Sequence, residues 1–146
     1  MLQKFPADVF TVTTKLQFSP RLEGERTGLI VFGADYAYLS LVRKKDGTYL
    51  SFSICKDADK GKTETIQDSK KIDNAAIYFR VAITAGGNCE FSYSVNGNEF
   101  EKIGEKFTAN PGRWVGAKVG LFCTRTTKTN DSGFADIDWF RVTANE

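Results

Sequence analysis

The chain has 146 residues, a net charge of +2, three cysteines and no histidine. Its length suits one domain with a core of its own, and no apolar run approaches the roughly 20 residues of a membrane-spanning helix. The evenly mixed charges argue against nucleic acid as a partner, and the lack of histidine excludes Ser-His-Asp and Cys-His catalysis and the usual zinc ligands. We therefore expect neither a nucleic-acid nor a membrane partner.

Residues 10–18 form the first of several segments in which apolar and polar side chains alternate. Phe10, Val12, Leu16 and Phe18 would share one face of a strand with Thr14, while the odd-numbered residues between them would share the other. The same period of two recurs in residues 77–83 and 89–95. No window shows a sustained helical period, so the pattern predicts half-buried strands.

Turn signals separate these segments. Asp46-Gly47 and Asn96-Gly97 favour tight hairpins, and Gly86-Gly87 divides two of the alternating segments. Further turns and longer connections are predicted at 20–26, 56–62, 110–114 and 124–132. The fold class is therefore all-β, with roughly ten antiparallel strands in a sandwich or jelly roll that spans residues 1–146 as a single domain.

The three cysteines lie inside strand-like apolar segments. They are Cys55, Cys89 and Cys123, and they form no C-x-x-C pair. Zinc and redox motifs are therefore not indicated. We expect three buried free thiols.

The last strand-like segment, SGFADIDWFRV, carries two acidic side chains in an otherwise apolar, aromatic run. Asp136 and Asp138 would point to one face of a regular strand with about 7 Å between them, a spacing at which paired carboxylates can hydrolyse glycosidic bonds. The alternation places both on the face of Phe134, Phe140 and Val142. Apolar residues then lie on both faces, so we expect both faces of this strand to be covered.

The residues alone leave several kinds of site open. The carboxylates could be catalytic, could bind calcium, or could be fixed by main-chain amides or arginines. In KDADKGK, Asp57 and Asp59 also offer oxygen ligands, but the three lysines around them favour a solvated loop. Sugar binding is a further possibility, because exposed aromatic rings stack on pyranose rings. The available aromatic residues are Tyr36, Tyr38, Tyr49, Trp114 and Trp139.

The order of five segments resembles a known module, the C-terminal concanavalin A-like β-sandwich of glycoside hydrolase family 43. Enzymes of that family are typically β-xylosidases and α-L-arabinofuranosidases. The segments are ERTGLIVFGADYAYLSL (25–41), CKDADKGKTET (55–65), FSYSVNGNEFEKIG (91–104), GRWVGAKVGLFC (112–123) and GFADIDWFRV (133–142).

The resemblance implies a non-catalytic accessory domain. The catalytic acids of such enzymes lie on a β-propeller that precedes the sandwich, and this chain has no room for a propeller. The expected partners are that catalytic β-propeller, in the same polypeptide, and a plant cell-wall polysaccharide such as xylan or arabinoxylan. The domain would help to shape the active site of the propeller. The alternative is an independent carbohydrate-binding module that recognises xylan.

The resemblance also singles out contact residues. RWVGAKVG resembles the segment that approaches the active site in those enzymes, which makes Trp114 and Lys118 candidates for ligand or interface contacts. The family often has an aromatic residue there, and a lysine at that position would mean the contact is lost. Tyr36 and Tyr38 are further candidates. Trp114, Phe122 and Phe107 are expected to contribute to an apolar patch against the propeller.

The resemblance finally concerns the two ends of the module. The family module usually begins some tens of residues earlier, so we expect this domain to lack its N-terminal strand or strands and to expose an edge. Asp138 resembles the last-strand ligand of a structural calcium in related sandwiches, whose first-strand partner would lie in the missing segment. Asp136 is expected to pair with Arg141 or Arg125. No other cofactor is expected.

Overall fold

The computed structural model describes residues 1–73, 76–112 and 116–144, which form two antiparallel β-sheets packed face to face. The first sheet has the strand order β1-β11-β3-β4-β5-β6, and the second has β10-β8-β7-β2-β12 with β9 paired to β8. This confirms the predicted sandwich. The strands are β1 Leu2–Lys4, β2 Phe10–Ser19, β3 Arg26–Phe32, β4 Tyr36–Lys44, β5 Gly47–Cys55, β6 Thr65–Ile72, β7 Ala76–Thr84, β8 Asn88–Ser94, β9 Glu101–Lys102, β10 Phe107–Thr108, β11 Lys118–Thr124 and β12 Phe134–Ala144.

The core lies between the sheets and follows the predicted alternation. Along β2 every even-numbered residue from Phe10 to Phe18 is buried. Along β7, Ile77, Phe79 and Val81 are completely buried. Thr14 is the one polar member of the inward row of β2. Its hydroxyl donates a hydrogen bond to the carbonyl oxygen of Trp139 at 2.8 Å, which satisfies a group that would otherwise be costly to bury.

Two of the predicted turns are confirmed, and a third has a different form. The Asp46-Gly47 signal closes a tight hairpin between β4 and β5, and Gly86-Gly87 connects β7 to β8. Asn96-Gly97 instead begins a longer loop over residues 95–100. The reason is local: the Asn96 side-chain oxygen accepts hydrogen bonds from the amides of Asn98 and Glu99, which stabilises a wider turn.

The last strand, β12, contains an irregularity that the alternation did not reveal. Its register against β2 shifts between Ile137 and Trp139, so Asp138 is an extra residue in the strand. Ala135 lies opposite buried Phe18 before the shift, and Phe140 lies opposite buried Thr14 after it. The prediction that the two aspartates share a face with Phe140 was therefore wrong.

The expectation that β12 is covered on both faces was also wrong. β12 is an edge strand that pairs with β2 alone among the described residues. Phe134 is 52% exposed, and Ile137 and Val142 are each 39% exposed. An edge strand has fewer neighbours above, below and beside it, so its apolar side chains stay in contact with water.

Glu25 attaches the start of β12 to the loop between β2 and β3. Its carboxylate is buried, and Oε2 accepts hydrogen bonds from the amides of Arg21 at 2.6 Å and Leu22 at 3.0 Å. Oε1 accepts a third from the amide of Gly133 at 2.7 Å. Burial opposes ionisation, but these bonds and the nearby charge of Arg125 outweigh it and hold the pKa of Glu25 below its usual value.

Two of the three cysteines are buried as predicted, and the third is not. Cys55 and Cys89 lie in the interior, whereas Cys123 is exposed. The difference follows from the length of β1, which pairs with Lys118–Gly120 and leaves the end of β11 without a neighbour on that side among the described residues. The described residues include one short helical turn, the 3₁₀ turn Ala58–Lys60, and no helix long and apolar enough to cross a membrane.

Candidate functional site

The outer face of the first sheet brings together three of the four predicted contact residues. Strand pairing aligns Lys118 of β11 with Phe32 of β3, and Phe32 in turn with Tyr36 of β4. Tyr38 lies two residues further along β4 on the same face. The fourth candidate, Trp114, falls outside the described residues.

Four aromatic rings are in contact on this surface, which we call the aromatic face: Phe32, Tyr36, Tyr38 and Phe122. The centroids of Phe32 and Tyr36 are 6.2 Å apart and those of Tyr36 and Tyr38 are 6.1 Å apart, both pairs being stacked. Phe122 packs edge-on against Tyr38 at 5.0 Å. Phe32 is 42% exposed, so the cluster reaches solvent at one end. Such a surface suits contact with a protein or a sugar.

Phe122 therefore lies where an apolar patch was expected, but Phe107 does not. Phe107 is buried in the core between the sheets, so the prediction that it contributes to an outer patch was wrong. It pairs with buried Cys89 across β10 and β8, which places its ring inward.

Glu64 joins the two tyrosines from the connection that precedes β6. Its carboxylate accepts hydrogen bonds from the hydroxyl of Tyr38 at 2.8 Å, the hydroxyl of Tyr36 at 3.1 Å and the guanidinium of Arg26 at 3.1 Å. The guanidinium of Arg26 also donates to the hydroxyl oxygen of Tyr38. One carboxylate thus holds two strands and a loop together over the aromatic face.

These contacts decide the protonation of the cluster. Partial burial of Glu64 opposes ionisation, but the bonds from Tyr38, Arg26 and Tyr36 outweigh it and hold the pKa of Glu64 below its usual value. Burial raises the pKa of Tyr36 and of Tyr38, and the acidic neighbour Glu64 acts in the same direction. The carboxylate is ionised and the phenols are neutral donors at neutral pH. A general acid for glycoside cleavage needs a raised carboxyl pKa, so Glu64 is not suited to that role.

Sequence reasoning missed Glu64, Arg26 and Phe32. Phe32 and Arg26 are even-numbered, like the other outward-facing residues of β3. The short connection at 33–35 indicates that β3 and β4 form a hairpin, which would have placed both residues on the face of the tyrosines. Nothing comparable marks Glu64, because its three donors are between 26 and 38 residues away in the sequence.

The two aspartates of β12 lie on the other sheet. Asp138 forms an ion pair with Lys15 at 2.6 Å, and this hydrogen bond raises the pKa of Lys15. Asp136 forms no ion pair with a described residue. The expected pairing with an arginine is not found: Arg141 stacks on Trp139, and Arg125 donates to the main-chain oxygen of Asp131.

The described residues do not form a calcium site. Among them, no group of three or more histidine, cysteine or acidic side chains could hold a metal ion, and the ammonium of Lys15 already occupies the carboxylate of Asp138. Asp57 likewise receives Lys60 at 2.8 Å and Lys62 at 2.9 Å, which hold its pKa at about 2. Calcium at Asp138 stays a prediction that depends on oxygen ligands from outside the described residues.

Residues 1–143 match the family described as the beta xylosidase C-terminal concanavalin A-like domain. The chain belongs to this family. The family 43 sandwich described here is 38% identical over 50 residues to a β-xylosidase of Formosa agariphila, a match that covers 34% of this chain and 8% of the relative.

Solved structures share the fold of this chain. A bifunctional GH43-CE protein of Bacteroides eggerthii matches with a TM-score of 0.89 and 19% identity, over 99% of this chain and 19% of that one. The GH43 BlXynB protein from Bacillus licheniformis matches with a TM-score of 0.82 and 19% identity, over 99% of this chain and 29% of that one. At such identities the likeness shows the fold alone. The family 43 sandwich spans less than a third of the length of each of these relatives.

Proposed function

We propose that this chain is a non-catalytic accessory domain of a family 43 glycoside hydrolase that acts on xylan or arabinoxylan. It packs on a catalytic β-propeller of the same polypeptide and helps to shape the active site there. The observation that carries the proposal is the family match over residues 1–143, in a chain that spans 19% and 29% of two structural relatives. Most of each relative is left for other domains.

The aromatic face supports a contact role. Its rings are held in place by Glu64, so Phe32 and Tyr36 are presented to a partner with little conformational freedom to lose. Lys118 lies beside Phe32 in the pairing of β11 with β3 and adds a cation at the rim. In this proposal Lys118 and the aromatic face contact the catalytic domain, together with Trp114.

A second candidate function is an independent xylan-binding module. The stacked pair of Phe32 and Tyr36 favours it, because a partly exposed aromatic surface is also what a pyranose ring requires. Both functions use the same surface, but they differ in what the isolated domain does.

One set of measurements separates the two functions. Calorimetry of the 146-residue chain with xylo-oligosaccharides should show no binding if the domain is accessory, and saturable binding if it is a module. The 146-residue chain should not hydrolyse 4-nitrophenyl β-D-xyloside, whereas the polypeptide encoded by the complete reading frame should. In that polypeptide, Phe32→Ala should lower the hydrolysis rate, and the control Lys45→Ala, in the turn between β4 and β5, should not. Hydrolysis by the 146-residue chain alone would refute both functions.

We also propose that an additional strand, from a segment before residue 1, completes the module beside β12. The support is the edge of this strand that pairs with no described residue, and the exposed Ile137 and Val142 on its inward side. A further strand would pair with its unpaired main-chain groups and cover these side chains.

A further inference from the structure

The outer face of the second sheet carries a cross-strand row of basic and hydroxyl side chains. Strand pairing places one residue on each of β12, β2, β7, β8 and β9 in line, and we call these residues the basic row: Arg141, Thr13, Arg80, Ser92 and Lys102. Since neighbouring strands lie about 4.8 Å apart, the backbones of the two arginines are about 10 Å apart. The row runs across the strands of the second sheet, whereas the aromatic face lies on the first sheet.

The two arginines of the basic row have no carboxylate partner among the described residues. The guanidinium of Arg80 lies 3.4 Å from the ring centroid of Phe100, and its Nε donates to the hydroxyl of Thr13 at 3.1 Å. The guanidinium of Arg141 lies 4.3 Å from the ring centroid of Trp139. Stacking fixes both groups while leaving their terminal amino groups available. Lys102 differs, because Glu90 neutralises it at 2.9 Å.

An aromatic row runs beside the basic row. Trp139, Lys15 and Tyr78 are aligned on β12, β2 and β7, and the rings of Trp139 and Tyr78 are 6.0 Å apart. The charge of Lys15 is taken up by Asp138. Asp136 lies beyond this row, away from the arginines along β12. The ion pair of Lys15 and Asp138 therefore leaves the aromatic row without an unpaired charge next to the two guanidinium groups.

We propose that this face binds an acidic polysaccharide. The uronic-acid carboxylates pair with Arg80 and Arg141, since a guanidinium recognises a carboxylate through two parallel hydrogen bonds. The sugar rings pack against Trp139 and Tyr78, which offer apolar surface next to the cations. Arg80 is partly removed from water, so an anionic partner compensates it for lost hydration.

This proposal does not rest on the accessory function. It concerns the second sheet, whereas the aromatic face lies on the first. The ligand is defined by its carboxylates, so a neutral xylo-oligosaccharide is not expected to occupy this face.

Affinity electrophoresis of the 146-residue chain tests the proposal. The gels contain either glucuronoxylan or the same polymer after its carboxyl groups have been reduced to alcohols. We expect glucuronoxylan to retard the chain and the reduced polymer not to do so. Arg141→Gln and Arg80→Gln should each weaken binding about tenfold, as expected for the loss of a charge-assisted hydrogen-bonded pair. Added salt should weaken it further.

Lys45→Gln is the matched control, because it removes one positive charge from an exposed turn of the other sheet. It should bind glucuronoxylan like the unchanged chain. The proposal is overturned by equal retardation in both polymers, by no retardation in glucuronoxylan, or by equal affinity of Arg141→Gln and Lys45→Gln. Arg141 is exposed, so this variant decides the matter even where Arg80→Gln unfolds the chain. Hydrolysis assays judge the accessory function separately.

Discussion

The main-chain amide of Gly133 donates a hydrogen bond to Oε1 of Glu25 at 2.7 Å, across 108 residues of sequence. This bond attaches the start of β12 to the loop before β3. The residues of β12 suggested that its own aspartates would hold it in place. The structure gives that role to a buried glutamate in a distant loop, which accepts two further amide hydrogen bonds.

Replacing Glu25 with glutamine should destabilise the domain. The amide keeps one acceptor oxygen but places an NH₂ group against main-chain amides that need an acceptor. We expect a loss of about 1–3 kcal/mol in the free energy of unfolding, the usual cost of buried polar groups without partners. Urea denaturation at pH 7 measures it. The control is Glu23→Gln, an exposed residue of the same loop, and an equal effect of the two changes would contradict the role given to Glu25.

The contribution of Glu25 should also depend on pH. Folding lowers the pKa of Glu25 below its ordinary value, so folding favours the ionised form. The stabilisation is therefore complete above the unfolded-state pKa and is lost as the pH falls through the folded-state pKa. The difference in urea midpoint between the unchanged chain and Glu25→Gln should shrink between pH 7 and pH 3. A difference in urea midpoint that grows on acidification would contradict this prediction.

Two tyrosines offer a matched test of the Glu64 cluster. Tyr38 is almost completely buried and donates to Glu64, whereas Tyr49 donates to exposed Asp46 at 2.9 Å. Tyr38→Phe should cost about 1 kcal/mol, because a buried network loses one donor. Tyr49→Phe removes the same hydroxyl at the surface and should cost clearly less. Urea denaturation of both variants gives the comparison, and equal costs would contradict the larger contribution expected of the buried hydroxyl.

The thiols should differ sharply in reactivity. Burial raises the pKa of Cys89 to about 12, and Cys55 is also enclosed, whereas Cys123 is exposed. A thiol reagent such as 5,5′-dithiobis(2-nitrobenzoate) should modify one cysteine per native chain and all three after unfolding. In Cys123→Ser the native reaction should disappear. Fast modification of that variant would show that an interior cysteine is accessible.

The free edge of β12 leads to a prediction about the longer polypeptide. If a preceding segment adds a strand there, a chain that includes it should unfold at a higher temperature than residues 1–146 alone. Thermal denaturation followed by circular dichroism compares the two. Equal midpoints would contradict the additional strand.

The alternation along β2 and β7 was enough to predict the inward faces of both strands, because a half-buried strand in mid-sheet has one wet and one dry face. The turns at Asp46-Gly47 and Gly86-Gly87 could be predicted equally directly, because glycine adopts the positive φ angles that tight turns need. Tyr36 and Tyr38 could be selected as candidates because aromatic rings are the side chains on which sugar rings stack. What the sequence could not supply were contacts between distant segments. Glu64 and Glu25 carry no periodic signal, and their roles exist only once loops from different parts of the chain meet.

The extra residue at Asp138 has a consequence for any comparison of this strand between proteins. β12 is in effect two short strands of opposite phase joined at one position, so that both halves direct small and apolar side chains inward. Deleting Asp138 would leave one continuous alternation in which Ala135, Ile137, Phe140 and Val142 all keep their inward direction. A homologue that lacks this extra residue would therefore keep the same pattern of polar and apolar residues on both sides of the gap, and aligning the two without a gap would equate residues that face in opposite directions.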